Sequence, residues 1–226
     1  MKRIAILFWF INMSPILGSG QETPIAYLPQ IYCDPGDGSV LVPLMVEHVE
    51  GCNAGQFSLV YSDQIISYID TVRTLDIGSN FFLDFNRDNP GTLFVVFASP
   101  GPLTEGVGAL LEIEMLLQSD LDIGEITPLT LVDFSMGNAD NVDFVTEYSG
   151  QLAVAKRGDS NQDGRITVAD LARISDGIAE AASPLSHIER WASDINRDEI
   201  LTMEDIELIA AIILHPSPVI RKIFRD

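Results

Sequence analysis

The chain has 226 residues, with 33 acidic side chains against 13 basic ones, and so a formal charge of −20 at pH 7. An excess of that size argues against nucleic acid and anionic membrane surfaces as partners, since both would repel it. Two cysteines are too few for a disulfide-built scaffold, while 46% hydrophobic residues suffice for one sizeable core and a small second module.

Residues 1–20 begin with Lys2 and Arg3, continue in an apolar run from Ile4 to about Leu17 and end in Gly18, Ser19 and Gly20. The run is short for a bilayer span and is interrupted by Asn12 and Pro15, so it reads as a secretory signal cleaved before Gln21. A retained anchor or a buried first strand is the alternative. Lys2 and Arg3 are the only charged residues of that segment, so its removal leaves a still more acidic chain, suited to calcium-rich surroundings outside the cell. No later stretch is long and apolar enough to cross a membrane.

Residues 21–155 read as a β-sandwich of nine short strands separated by turn signals. They fall at 25–32, 40–49, 56–62, 64–70, 80–86, 92–99, 108–117, 126–134 and 143–155. Alternation is clearest where Leu111, Ile113, Met115 and Leu117 interleave with Glu112 and Glu114, which sets one dry face against one wet face. The turn PGDG at 35–38 predicts a hairpin joining a strand that ends near Cys33 to one that begins at Ser39. In such a hairpin Cys33 sits at the turn and Cys52 lies beyond the far end, out of disulfide reach at ~3.3 Å per residue, so two separate thiols are expected.

Signs of catalysis are weak in this region. His48 is its only histidine, and with 33 acidic residues in the chain, pairs drawn from Asp84, Asp88, Glu105, Glu112 and Glu114 arise without meaning. It has no phosphate-cradling glycine loop opening a helix and no zinc-spaced His/Cys cluster. It also has no tryptophan, the usual platform for a sugar ring. Tyr61, Tyr68, Phe81 and Phe82 remain as stacking residues, with core positions the commoner fate of aromatics at strand spacing.

The strongest chemical signal is DSNQDGRITVAD at 159–170, repeated as DINRDEILTMED at 194–205. Asp159, Asn161 and Asp163 stand at positions 1, 3 and 5 of a calcium loop, with Gly164 at the sharp turn, the Arg165 carbonyl at position 7 and Asp170 at position 12. Asp194, Asn196, Asp198, the Ile200 carbonyl and Asp205 repeat the set. Calcium wants six to eight oxygens, and alternate residues of a tight loop supply them at one centre. Glu199 takes the place of Gly164, so the second site is expected to be weaker. After each loop an apolar helical stripe follows, at Leu171, Ile174 and Ile178 and at Ile206, Ile209, Ile213 and Leu214, predicting two helices packed on each other. No helix is expected before either loop, because 150–158 reads as strand end and linker and 182–186 contains Pro184. Without metal so short a module, rich in clustered aspartates, is expected to loosen or unfold.

A duplicated calcium loop followed, but not preceded, by a helix resembles the dockerin module, carried here by GDSNQDGRITVADLARI and ASDINRDEILTMEDIELIAAII. The resemblance implies two bound calcium ions and a helical face that docks on a cohesin-bearing protein. It further implies that loop positions 10 and 11, here Val168 and Ala169 against Met203 and Glu204, help select the partner. Unlike pairs argue against symmetric two-way docking. The β-region in turn resembles a cohesin, through PGDGSVLVPLMVEHVEGCNAGQFSLVYSDQIISYIDTV and NPGTLFVVFASPGPLTEGVGALLEIEMLL. That implies a nine-stranded jelly-roll β-sandwich, mainly β, with one sheet face used to receive a dockerin-bearing protein.

The organisation expected is therefore a signal peptide at 1–20, a cohesin-like sandwich at 21–155, a small α-helical dockerin-like domain at 156–215 and a tail at 216–226 whose Arg221, Lys222 and Arg225 cap the last helix. The function expected is that of a secreted, non-catalytic adaptor for protein–protein assembly, with self-association into filaments open, in the setting of extracellular polysaccharide degradation. The alternatives are a carbohydrate-binding sandwich tethered by its dockerin and a small glycosidase carried by one.

Overall fold

The computed structural model describes residues 23–138, 142–179 and 184–215, so the expected signal segment and the C-terminal tail lie outside the described residues. Among the described residues twelve strands form two sheets: β1 (Ile25–Tyr27), β2 (Gln30–Cys33), β3 (Ser39–Glu47), β4 (Ala54–Val60), β5 (Ile66–Thr74), β6 (Phe82–Asn86), β7 (Thr92–Ala98), β8 (Gly108–Leu117), β9 (Ile126–Gly137), β10 (Val142–Phe144), β11 (Thr146–Tyr148) and β12 (Gly150–Val154). One sheet runs β11-β1-β3-β8-β5. The other runs β2-β12-β9-β4-β7-β6, with β10 beside β9.

The expected count of nine differs because two strands break. The first splits into β1 and β2 at Pro29, which has no N–H to give a ladder, and the last splits into β10, β11 and β12. Both terminal strands change sheet together. β11 runs parallel to β1 in one sheet and β12 parallel to β2 in the other. Gly150 sits at that crossing, where a Cβ would stand 2.5 Å from the Pro29 carbonyl oxygen, so no larger residue fits without moving backbone. Closing the sandwich with its two chain ends paired covers edges that would otherwise be open.

The hairpin expected around 35–38 is not formed. β2 and β3 belong to different sheets, and the PGDG segment arches across the sandwich between them. Asp34 shapes that arch, accepting from Gly36 N at 3.0 Å, while its own N–H donates to the Asp37 carboxylate at 2.9 Å. The consequence for the thiols stands on different grounds: Cys33 and Cys52 are both buried and are not joined by a disulfide. Burial, with Asp37 and Asp34 nearby, pushes the Cys33 thiol up to about 12, which removes the thiolate and its chemistry at neutral pH.

Between the sheets lies one core, in which Phe57 stacks on Phe134 at 5.3 Å and Phe81 meets Phe97 edge-on at 5.3 Å. Leu111, Ile113, Met115 and Leu117 point into it as their alternation predicts. Glu112, on the opposite face, is buried as well, and the Arg73 guanidinium on β5 neutralises it through an Nε contact of 2.6 Å.

After β12 the described residues form three helices, α1 (Val168–Ile178), α2 (His187–Ser193) and α3 (Met203–Leu214). Ile174 on α1, Ile209 on α3 and Ile195 between α2 and α3 are buried together, with Ile166, Leu171, Ile178, Ile206 and Ile213 packed around them. Leu214, expected in the same stripe, is 72% exposed instead, as the last residue of α3. The helix α2 corrects the expectation that nothing helical precedes the second loop. Its start was encoded downstream of Pro184, in a capping box where the Ser186 hydroxyl accepts from Glu189 N and the Glu189 carboxylate accepts from Ser186 N.

Candidate functional site

The two acidic loops share one hydrogen-bonding plan. In the first, the Asp159 carboxylate accepts from Asp163 N at 3.0 Å and Gly164 N at 2.8 Å, and the Asp170 carboxylate accepts from Asn161 N at 3.1 Å and Thr167 N at 2.7 Å. In the second, Asp194 accepts from Asp198 N at 3.1 Å and Glu199 N at 3.2 Å, and Asp205 accepts from Ile195 N and Thr202 N at 2.9 Å each. Asn161 and Asn196 stand at matching places, each side-chain amide donating to the loop's second aspartate, Asp163 at 3.0 Å and Asp198 at 2.9 Å. Arg165 and Ile200 follow with N–H groups 2.9 Å from the Asp163 and Asp198 carboxylates.

Positions 4 and 6 of both loops turn left-handed: Gln162 at φ 59° and Gly164 at 85° in the first, Arg197 at 62° and Glu199 at 68° in the second. Glu199 therefore occupies the strained place that its alignment with Gly164 predicts. Each loop runs into a helix through a threonine cap that sequence reading did not single out. Thr167 and Thr202 accept from Ala169 N and Glu204 N, and Asp170 and Asp205 return the bond at the third helical position. A Thr-Xaa-Xaa-Asp spacing signals this, and it gives aspartate at position 12 two tasks: closing the loop and capping the helix.

These carboxylates are assembled at an electrostatic cost. Asp159, Asp170 and Asp205 are fully buried. Desolvation raises Asp159 above the ordinary carboxylate range, and Asp170 and Asp163 beside it raise it further against the amide bonds that lower it. Asp194 is likewise raised by burial, with the Arg157 cation acting in the opposite direction. Among the described residues no three His, Cys, Asp or Glu side chains are placed to hold a metal ion by themselves; the oxygen set expected of each loop is mixed, adding an asparagine and a backbone carbonyl. Buried like charges with hard oxygen donors on alternate residues fit a divalent cation such as calcium, which would remove the repulsion.

The residues expected to select the partner lie at the first turns of the two helices. Val168 and Met203 are 70% and 61% exposed, and Ala169 and Glu204 stand beside them in solvent. The structure brings the four onto the same module but not into one patch of matching chemistry, since one pair is wholly apolar and the other carries a carboxylate.

A second exposed surface lies on the sandwich, on the outer side of the sheet formed by β9, β4, β7 and β6. Cross-strand register aligns Gln56, Val96 and Asp84 in one row, Ser58, Phe94 and Asn86 in the next, and Ala54, Ala98 and Phe82 in a third. Val60, Phe82, Phe94 and Val96 are exposed there, Phe82 by 74%. Of the other aromatic residues considered for sugar stacking, Tyr61 and Phe81 are buried, and Tyr68 lies in the opposite sheet with the Arg87 guanidinium 4.1 Å over its ring. They do not form a shared platform.

The two modules touch. Arg157 donates from its backbone to Asp34 at 3.1 Å, and from its guanidinium to the carbonyls of Trp191, at 3.0 Å, and Asp194. The same guanidinium lies 4.1 Å over the Trp191 ring, Tyr32 meets that ring at 5.8 Å, and Arg197 reaches Asp37 at 3.3 Å. Burial lowers the Arg157 pKa to about 10, helped by the neighbouring Arg197, so it remains charged at neutral pH. No local sequence signal marks these contacts, which join residues far apart in the chain.

Comparison with known proteins follows the same division. Residues 157–214 match the dockerin type I domain, and no curated protein matches the chain. Among solved structures, the complex of the sixth cohesin of scaffoldin B from Acetivibrio cellulolyticus with a dockerin is 18% identical, with a TM-score of 0.51 over 59% of this chain and 99% of that one. A type I cohesin–dockerin complex from Clostridium thermocellum gives 17% identity and a TM-score of 0.52, over 59% of this chain and 99% of that one. A non-cellulosomal cohesin from Archaeoglobus fulgidus gives 17% and 0.51, over 60% and 93%. Each of these spans is more than twice as long as residues 157–214, so most of it lies on the sandwich. Among the described residues no helix is long and apolar enough to cross a membrane. Residues 157–214 are thus a dockerin domain, of a type that binds calcium as a class, and the sandwich is structurally similar to cohesins.

Proposed function

We propose that the chain is a secreted, non-catalytic adaptor that docks two other proteins, one on each module, as part of an extracellular assembly of the kind that degrades polysaccharide. The dockerin presents Val168 and Ala169 or Met203 and Glu204 to a cohesin-bearing protein, and its shape depends on two calcium ions. Asp159, Asn161, Asp163, the Arg165 carbonyl and Asp170 would hold one. Asp194, Asn196, Asp198, the Ile200 carbonyl and Asp205 would hold the other, more weakly, because Glu199 strains that loop. When bound, calcium supplies the positive charge that the buried carboxylates require.

The observation that carries the receptor half is the set of exposed apolar residues Val60, Phe82, Phe94 and Val96 on one sheet face. A protein surface of that kind marks an interaction site, and a helical partner with an apolar stripe would cover it. Electrostatics argue against this chain's own dockerin as the occupant. Between residues 21 and 155 the only Lys or Arg residues are Arg73 and Arg87, and both serve the other sheet, Arg73 paired with Glu112 and Arg87 stacked on Tyr68. The sandwich is strongly acidic, whereas residues 156–226, with 13 acidic and 9 basic side chains, are close to neutral once two calcium ions are bound; a basic plug from another chain therefore suits the receptor better, and head-to-tail filaments are disfavoured. Isothermal titration of the full chain with type I dockerins and, separately, with type I cohesins tests this. Phe94→Asp should abolish dockerin binding and leave cohesin binding intact; retained dockerin binding would place the receptor surface elsewhere.

A further inference from the structure

The two loops differ in one respect that their shared plan conceals, namely what holds the first turn. In the first loop the task is local: Gln162, left-handed at position 4, donates its side-chain amide to the Asp159 carbonyl at 2.6 Å. The equivalent carbonyl of the second loop, that of Asp194, accepts from the Arg157 guanidinium instead. Arg197, the left-handed residue at position 4, turns away from its own loop to the Asp37 carboxylate of the sandwich at 3.3 Å. The clamp that closes one loop from within is, in the other, supplied from the linker and the arch between β2 and β3.

The neighbouring contacts point the same way. Trp191, on the helix that leads into the second loop, is covered by Tyr32 at 5.8 Å and by Arg157 at 4.1 Å, and Arg157 is itself anchored on Asp34 through its backbone N–H. Gly158 N donates to the carbonyl of Ala192 on the same helix at 2.8 Å. The loop that receives this support is also the one burdened by Glu199 at a position suited to glycine. The first loop carries Gly164 at that place and closes its first turn from within.

We infer that the second acidic loop is a composite site, completed by the sandwich through Tyr32, Asp34 and Asp37, so that cation binding there and the seating of the dockerin on the sandwich stabilise each other. This rests on reading both loops as calcium sites. Coupling of this kind is reciprocal: whatever the seated sandwich adds to the affinity of the second loop, calcium in that loop returns to the seating. The two docking surfaces of the adaptor then hold a fixed mutual direction when calcium is bound and lose it when calcium is withdrawn.

Calcium titration of the full chain by calorimetry, paired with small-angle X-ray scattering, separates the possibilities. The variant is Tyr32→Ala with Asp37→Ala, both on the sandwich and away from every loop oxygen. Wild type should bind two calcium ions and become more compact; the double variant should keep one site unchanged, weaken the other by roughly 5- to 150-fold and scatter as a more extended particle. Adding Arg197→Gln, which gives the second loop the first loop's own clamp, should recover part of the lost affinity without restoring compactness. Two unchanged sites in the double variant, extended or not, would overturn the inference while leaving the calcium reading intact. Absence of calcium binding in the wild type would overturn both.

Discussion

Glu199 shows how a single residue sets the two repeats apart. Its φ of 68° is one that glycine adopts freely and a side chain adopts at a cost of about 1 kcal/mol. Glu199→Gly should therefore stabilise the calcium-loaded dockerin by about that amount, raising its thermal midpoint by a few degrees in calorimetry, whereas Gly164→Glu should cost the first loop a similar amount. The residue-level features were largely legible in the sequence. Spacing alone placed the acidic residues on a common loop plan, and alignment of one repeat on the other located the strain at Glu199. What escaped was the second role of position 12, because a capping residue shows only once the helix start is known. Asp170 and Asp205 each bond back to a threonine that opens a helix. Thr202→Ala should cost about 1 kcal/mol even with calcium saturating, as seen in the same calorimetric scan.

Among the elements, α2 was the one not expected, and its lock on α1 is electrostatic. The Arg173 guanidinium bonds both oxygens of the Glu189 carboxylate at 2.7 and 2.9 Å, and holds its pKa at about 2, well below the usual 4.5. A carboxylate lowered on folding contributes stability that is fully present above its unfolded value and is lost as pH falls towards the folded one. The stability difference between wild type and Glu189→Gln should thus be constant above about pH 5 and vanish as pH approaches 2, as followed by the far-UV circular dichroism melt of each protein. Pro184 obscured this helix in the sequence because proline signals a break; here it stands just before the capping serine, Ser186, where a break is what starts the next helix. Strand positions were readable from alternation, but partners were not. The PGDG turn that suggests a hairpin is equally suited to an arch, and only the packing of β2 beside β12 decides between them.

At the level of the whole molecule, the modules were legible and their contact was not. Local periodicity identifies a sandwich and a pair of loop–helix units, whereas Tyr32 against Trp191 and Asp37 against Arg197 are products of the folded chain. On the proposed function the dockerin is a plug whose shape depends on metal, joined to a sandwich with its own large core. Docking is then gated by calcium. Sedimentation velocity of the full chain mixed with a panel of type I cohesins, run once in calcium and once in chelator, tests it most directly. A heavier species with at least one cohesin, present in calcium and absent in chelator, is the predicted result; a complex that survives chelation, or none with any cohesin in either condition, would contradict it.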